Sequence, residues 1–148
     1  MEIEKKYLVK KLPEHLEQYS YYKIEQGYLC TEPVVRIRRQ DDTYILTYKS
    51  KGLMAREEYN LPLTKEAYFH LKPKADGIII EKTRYKIPFQ KYTIELDVFE
   101  KDLAPLVLAE VEFESVAEAE RFVPPEWFGE DVTYSSEYHN STLSKGKS

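Results

Sequence analysis

One cysteine and one tryptophan in 148 residues set the first limits. The lone Cys30 excludes an internal disulfide and any cage of several thiolates, and it agrees with a reducing, cytoplasmic location. No apolar stretch approaches the roughly 20 residues of a membrane span, and the opening Met-Glu-Ile-Glu-Lys-Lys carries no apolar signal region. No membrane partner is expected. An excess of positive charge is missing too: 22 Lys+Arg against 26 Asp+Glu leave −4, the wrong sign for a duplex nucleic-acid binder. No repeat, low-complexity block or linker divides the chain. The expectation is one domain over 1–143 and a frayed tail over 144–148, rich in Ser, Lys and Gly.

What the sequence does have is alternation. With 42% hydrophobic and 32% charged residues, and 13 Tyr, the composition is that of a folded protein. Period-2 patterning recurs near 1–9, 21–30, 33–40, 43–50, 54–62, 77–87, 91–99 and 106–114, which predicts about eight antiparallel strands. Asp41-Asp42, Lys51-Gly52 and Pro88 mark tight connections. Three short helices are predicted: one around Pro13–Gln18, one from Thr64 to about Leu71, and one after Ser115, where Ser115 and Glu118 match a capping box.

The polar faces of these strands are unusual in carrying like charges at i and i+2, such as Glu-x-Glu, Arg-x-Arg and Lys-x-Arg. Glu2, Glu4 and Lys6 alternate with Ile3; Arg36 and Arg38 with Val35 and Ile37; Lys82 and Arg84 share a face; Glu95 and Asp97 oppose Ile94 and Leu96; Glu110, Glu112 and Glu114 oppose Val111 and Phe113. Opposite signs are sorted by segment: from Glu95 to Glu120 the acidic residues face only Lys101. The ordinary reading of such faces is the solvent side of a half-buried sheet. Against it, like charges at i and i+2 repel unless something lies between them. Clustered Arg and Lys suit phosphate oxygens, and clustered carboxylates suit a hard divalent cation. Eight strands are enough to close a barrel that carries these faces inward. The apolar faces would then point outward and need cover from the helices or from a second copy of the chain, as in a homodimer.

These residues resemble a known family, the CYTH domain or triphosphate tunnel metalloenzymes. Glu2-Ile3-Glu4-Lys5-Lys6 matches its N-terminal Glu-x-Glu-x-Lys, followed in order by Gln26-Gly27-Tyr28-Leu29, Arg36-Ile37-Arg38, Lys49, Arg56-Glu57-Glu58, Glu81-Lys82-Thr83-Arg84, Glu95-Leu96-Asp97, Glu110-Val111-Glu112 and Asp131-Val132-Thr133. The resemblance runs from residue 2 to about 143. It implies a mainly β (α+β) fold, an eight-stranded antiparallel closed β-barrel with a few short flanking helices, whose interior binds a triphosphate. Carried over by position, Glu2, Glu4 and Glu112 resemble ligands of a first Mg²⁺ or Mn²⁺, with Glu110 and Asp97 near a second ion. Lys6, Arg36, Arg38, Lys49, Lys82 and Arg84 match phosphate-gripping positions, joined by Arg56. Glu58 and Glu95 match acidic wall positions, and Tyr28 faces the tunnel. Glu2, Glu4, Lys6, Lys82, Arg84, Glu110 and Glu112 form the implied catalytic set.

Phosphoryl hydrolysis needs charge neutralisation, in-line geometry and a water nucleophile, and no covalent nucleophile. Oxygen-only ligands select Mg²⁺ or Mn²⁺ over Zn²⁺, and His15, His70 and His139 are expected to be structural or exposed. The resemblance therefore implies a metal-dependent tripolyphosphatase that also accepts nucleoside triphosphates or longer polyphosphate to some degree. A class IV-type adenylyl cyclase, a thiamine triphosphatase and a non-catalytic polyphosphate- or nucleotide-binding module share the same grip. The strands hold no Trp to stack on a base or thiazolium, since Trp127 follows the last of them.

Overall fold

Residues 2–52 and 54–146 are described by a computed structural model. Met1 of the expected first strand, Leu53, and Lys147 and Ser148 of the expected tail lie outside the described residues. The strands are β1 (Glu2–Val9), β2 (Ser20–Thr31), β3 (Val34–Gln40), β4 (Thr43–Lys49), β5 (Ala55–Arg56), β6 (Glu58–Pro62), β7 (Asp76–Phe89), β8 (Tyr92–Phe99), β9 (Val107–Glu112) and β10 (Phe128–Asp131). All pairings are antiparallel, in the order β10-β1-β9-β8-β7-β2-β3-β4-β6. The ring returns on itself through β5, which pairs with β1 at Glu2↔Arg56 and Ile3↔Ala55. Counting β5 and β6 as one strand broken at Glu57, eight strands make a nearly closed barrel, and β10 is an extra strand laid against β1.

The turns follow their residues. Gln40↔Thr43 leaves Asp41 and Asp42 as a two-residue loop, with Asp41 at φ 51°. Gly52 sits at φ 136°, and a Cβ there would meet the Ala55 carbonyl oxygen at 2.6 Å, so this corner requires glycine. Pro88 does not make the turn expected of it. It lies inside β7 opposite Thr93, and the turn is Gln90-Lys91, with Gln90 at φ 56°. β7 outlasts its other neighbour, β2, whose pairing ends at Ser20↔Lys86, so the proline stands where only one strand flanks it.

The outward apolar faces are covered by the chain itself. Helix α1 (Lys65–Leu71), capped by Thr64 Oγ1 accepting from Ala67 N–H at 3.0 Å, packs Tyr68 on Ile37 and Tyr44. Helix α2 (Val116–Arg121) begins at Ser115, whose Oγ accepts from Glu118 N–H at 3.1 Å. It brings Ala119 and Phe122 onto Ile3, Tyr7, Ile94, Leu96, Val111 and Phe113. The segment expected to be helical around Pro13–Gln18 is a 3₁₀ turn over Leu16–Gln18.

One end of the barrel interior is apolar. Tyr28, Val34, Ile80, Phe99 and Leu108 pack there with Leu8, and Val132, Tyr138 and Leu143 close over them. Tyr138 and Leu143 belong to a C-terminal segment that ends in helix α3 (Asn140–Leu143). Ser144, in the stretch expected to fray, is buried, and its carbonyl accepts from Ile78 N–H. The seam between that segment and β7 gives the tail a partner that composition does not reveal.

Candidate functional site

The charged strand faces turn inward around a cavity of about 240 Å³. It is lined by Glu2, Glu4 and Lys6 of β1, Tyr28 of β2, Arg36 and Arg38 of β3, Lys49 of β4, Arg56 and Glu58 of the broken strand, Arg84 of β7, Glu95 of β8, and Glu110 and Glu112 of β9. A second hollow, lined by Lys86, Lys91, Tyr92 and Glu114 among others, shares Glu95 and Glu112 with the first and forms its mouth. Two expected site residues stand back from the cavity. Lys82 and Asp97 are fully buried against each other, Lys82 Nζ lying 2.7 Å from Asp97 Oδ2.

The cations divide by what they already hold. Arg84 donates from Nε and Nη2 to the two carboxylate oxygens of Asp97 at 2.7 and 2.8 Å, a bidentate pair that with Lys82 surrounds that carboxylate. Lys49 Nζ lies 3.0 and 2.8 Å from the oxygens of Glu2 and 3.5 Å from Glu58, and Arg56 Nε donates to Glu2 at 3.2 Å. Lys6 Nζ lies 3.7 Å from Glu110 and donates to the Tyr138 carbonyl at 3.0 Å. Arg36 and Arg38 are different. Among the described residues neither has a carboxylate within 4.0 Å, and the Arg36 Nε is buried without a partner. Burial, aided by Arg36 and Arg84, depresses the Arg38 guanidinium to about 9, and burial lowers the Lys82 ammonium to about 8 against the pull of Asp97.

The carboxylates divide in the same way. Burial alone would raise Glu110 and Asp97, but Lys6, Arg84 and Lys82 outweigh it at Glu110, and Arg84 and Lys82 outweigh it at Asp97; both are held below the usual carboxylate range. Glu4 goes the other way, pushed up to about 8 by burial and by the charges of Glu110 and Glu2. Glu112, directly opposite Glu4 in the β1–β9 ladder, is raised by burial, Glu2 and Glu58. Among the described residues no three His, Cys, Asp or Glu side chains converge on one point. The donor set nevertheless fits a hard divalent cation: it is oxygen-only, and its repulsion at Glu4 and Glu112 is what a cation relieves.

The sequence profile of the CYTH domain matches residues 1–147. This chain belongs to the CYTH family. An inorganic triphosphatase of Nitrosomonas europaea is 41% identical over 96% of this CYTH chain and 95% of its own length. One of Acetivibrio thermocellus is 37% identical over 97% and 93%. The crystal structure of the inorganic triphosphatase NE1496 superposes with a TM-score of 0.73 at 38% identity, covering 98% of this chain and 95% of that one.

The CYTH cavity also contains residues outside the expected site set. Thr47 and Asn60 face it from β4 and β6, with Thr47 Oγ1 donating to Asn60 Oδ1 at 2.6 Å. His139, Asn140 and Ser141 reach it from the C-terminal segment. That segment is fastened to β1: Lys6 N–H donates to Thr133 Oγ1 at 3.0 Å, and Thr133 Oγ1 donates to Asp131. His139 Nε2 is 3.0 Å from the Thr133 carbonyl, which only accepts, so the proton is on Nε2. Burial and the charges of Lys6 and Arg56 lower its pKa. His139, expected to be structural or exposed, is tied to the Thr133 carbonyl and also lines the cavity.

Proposed function

We propose that this CYTH protein is a divalent-metal-dependent hydrolase that cleaves inorganic triphosphate to pyrophosphate and phosphate. The observation that carries the reading is the pair Arg36 and Arg38, two inward arginines with no carboxylate partner among the described residues, facing an internal cavity. A buried cation without a counter-ion is costly, and a polyanion supplies the missing charge. The names of the two relatives support the same substrate. In this reading Arg36 and Arg38 bind phosphate oxygens bidentately, while Lys6, Lys49 and Arg56 add charge from β1, β4 and β5. Asp97, itself paired with Lys82, holds Arg84 in place. Glu2, Glu4, Glu110 and Glu112 would hold Mg²⁺ or Mn²⁺. Such an ion, when bound, neutralises phosphate oxygens and acidifies water. The organic-substrate readings, cyclase and thiamine triphosphatase, share this grip but need a site for the organic group.

Phosphate release from inorganic triphosphate and from ATP, with Mg²⁺, with Mn²⁺ and in chelator, tests the proposal. Release from triphosphate that depends on the metal, with no cyclic AMP from ATP, is the expected result. Turnover at full rate in chelator would remove the metal, and tight binding without turnover would leave a binding module.

A further inference from the structure

We propose that Gln26 is a positioning residue that fixes the Arg38 guanidinium with a neutral acceptor, so that its fork meets the substrate with its charge uncancelled. The inference rests on the triphosphate reading above and deepens it. Gln26 is fully buried on β2, directly opposite Arg38 on β3, and is not among the residues that line the cavity. Arg38 Nε donates to Gln26 Oε1 at 3.1 Å. An Nε–H only donates, so the amide orientation is fixed with its oxygen toward Arg38. A guanidinium held at Nε keeps both terminal amino groups for a ligand, in the planar arrangement that suits two phosphate oxygens.

Folding does not ask for glutamine here. Among the described residues, Gln26 Nε2 is buried with no hydrogen-bond partner, an arrangement that costs about 1–3 kcal/mol and that Leu would avoid at similar volume. Four arginines, Arg36, Arg38, Arg56 and Arg84, line the cavity, and Arg56 is held by the carboxylate of Glu2. Arg84 is oriented by the carboxylate of Asp97, which also cancels its charge. Among the described residues Arg36 has no orienting group: its Nε is unpartnered, and its cross-strand neighbours are Tyr28 and Thr47, whose hydroxyl donates to Asn60. Arg38 alone is both oriented and uncompensated.

The test measures kcat, KM and the thermal unfolding midpoint for Gln26→Leu and Gln26→Glu, each alone and combined with Arg38→Lys, with inorganic triphosphate as substrate. Gln26→Leu is expected to lower kcat/KM about tenfold while its midpoint stays level or rises. On the Arg38→Lys background, which has no Nε to orient, the same change should alter kcat/KM less than twofold. Gln26→Glu should raise KM at least tenfold, because a carboxylate orients Arg38 equally well but competes with the anion. A loss that persists undiminished in the Arg38→Lys background, or wild-type kinetics in Gln26→Leu, would overturn the proposal. Should Gln26→Leu fold poorly, Gln26→Glu and its combination with Arg38→Lys decide the matter alone: a KM indistinguishable from wild type rejects the idea. Failure of wild-type protein to hydrolyse triphosphate would instead strike the underlying reading.

Discussion

Arg36 and Arg84 point into the same barrel two strands apart, yet only one lacks a counter-ion, and that difference matters more than residue type. The same holds for carboxylates. Glu2 pairs with both Lys49 and Arg56 and cancels part of their charge, so Glu2→Gln should free both cations and raise triphosphate affinity in chelator, measured calorimetrically, while metal-supported turnover falls. Lower affinity in chelator would mean that the ion pairs hold the cations in their binding positions. Glu4 gives a prediction in pH. Its carboxyl is raised from an ordinary 4.5 to about 8 by burial, Glu110 and Glu2, so between these values the folded chain binds a proton that the unfolded chain has released. Stability contributed by that proton is present at low pH and is lost as pH rises toward 8. Glu4→Gln removes the dependence, and its advantage in unfolding midpoint over wild type, in chelator, should widen from pH 5 to pH 8. A shrinking advantage would place the raised carboxyl elsewhere.

At the level of elements, the barrel divides folding from function by strand face. Ile3, Tyr7, Ala109 and Val111 of β1 and β9 pack outward with α2, while Glu2, Glu4, Lys6, Glu110 and Glu112 of the same strands face the cavity. Phe122 touches the rings of Tyr7, Phe89, Tyr92, Phe113 and Phe128. Phe122→Ala should therefore cost about 3–5 kcal/mol in denaturant unfolding and leave the KM for triphosphate unchanged; a large rise in KM would show that the two faces are mechanically coupled. This separation is also why the strands were legible. A two-residue period survives in sequence whichever face is buried, and Ser115 and Thr64 announce their helices through a local cap. The direction of the faces was not legible from periodicity, since solvent and tunnel both accept charge. β10 was too short to show a period, and His139 lies in a bend before α3, whose first residues are Asn140 and Ser141, a stretch without one. The pairing of Asp97 with Arg84 and Lys82 arises from three-dimensional register, with Arg84↔Asp97 directly opposite, so the sequence offered these residues as ligands and grips without showing that they satisfy one another.

For the whole molecule, the arrangement of the two barrel ends governs selectivity. Leu8, Tyr28, Ile80, Phe99, Leu108, Val132 and Tyr138 fill one end, leaving no space there for an organic group. A substrate's non-phosphate part must lie toward the mouth, where Lys86, Lys91, Glu95, Glu112 and Glu114 present charge of both signs. Among the described residues Tyr28 and His139 are the aromatic rings lining the cavity; Tyr28, at 2% exposure, is held in the apolar cluster, and His139 is tied to the Thr133 carbonyl. Tyr92, at the mouth, is engaged edge-on with Phe113 and Phe122. Trp127 packs on Phe128 outside the barrel. Recognition thus falls to the phosphates, and a nucleoside or thiamine adds desolvation and steric cost with little binding in return. Inorganic triphosphate should be cleaved with higher kcat/KM than ATP, and ATP with higher kcat/KM than thiamine triphosphate, in steady-state assays at matched free metal. If ATP proved the better substrate, the mouth would have to contain a base-binding surface, and Tyr92→Ala would then lower kcat/KM for ATP while sparing inorganic triphosphate.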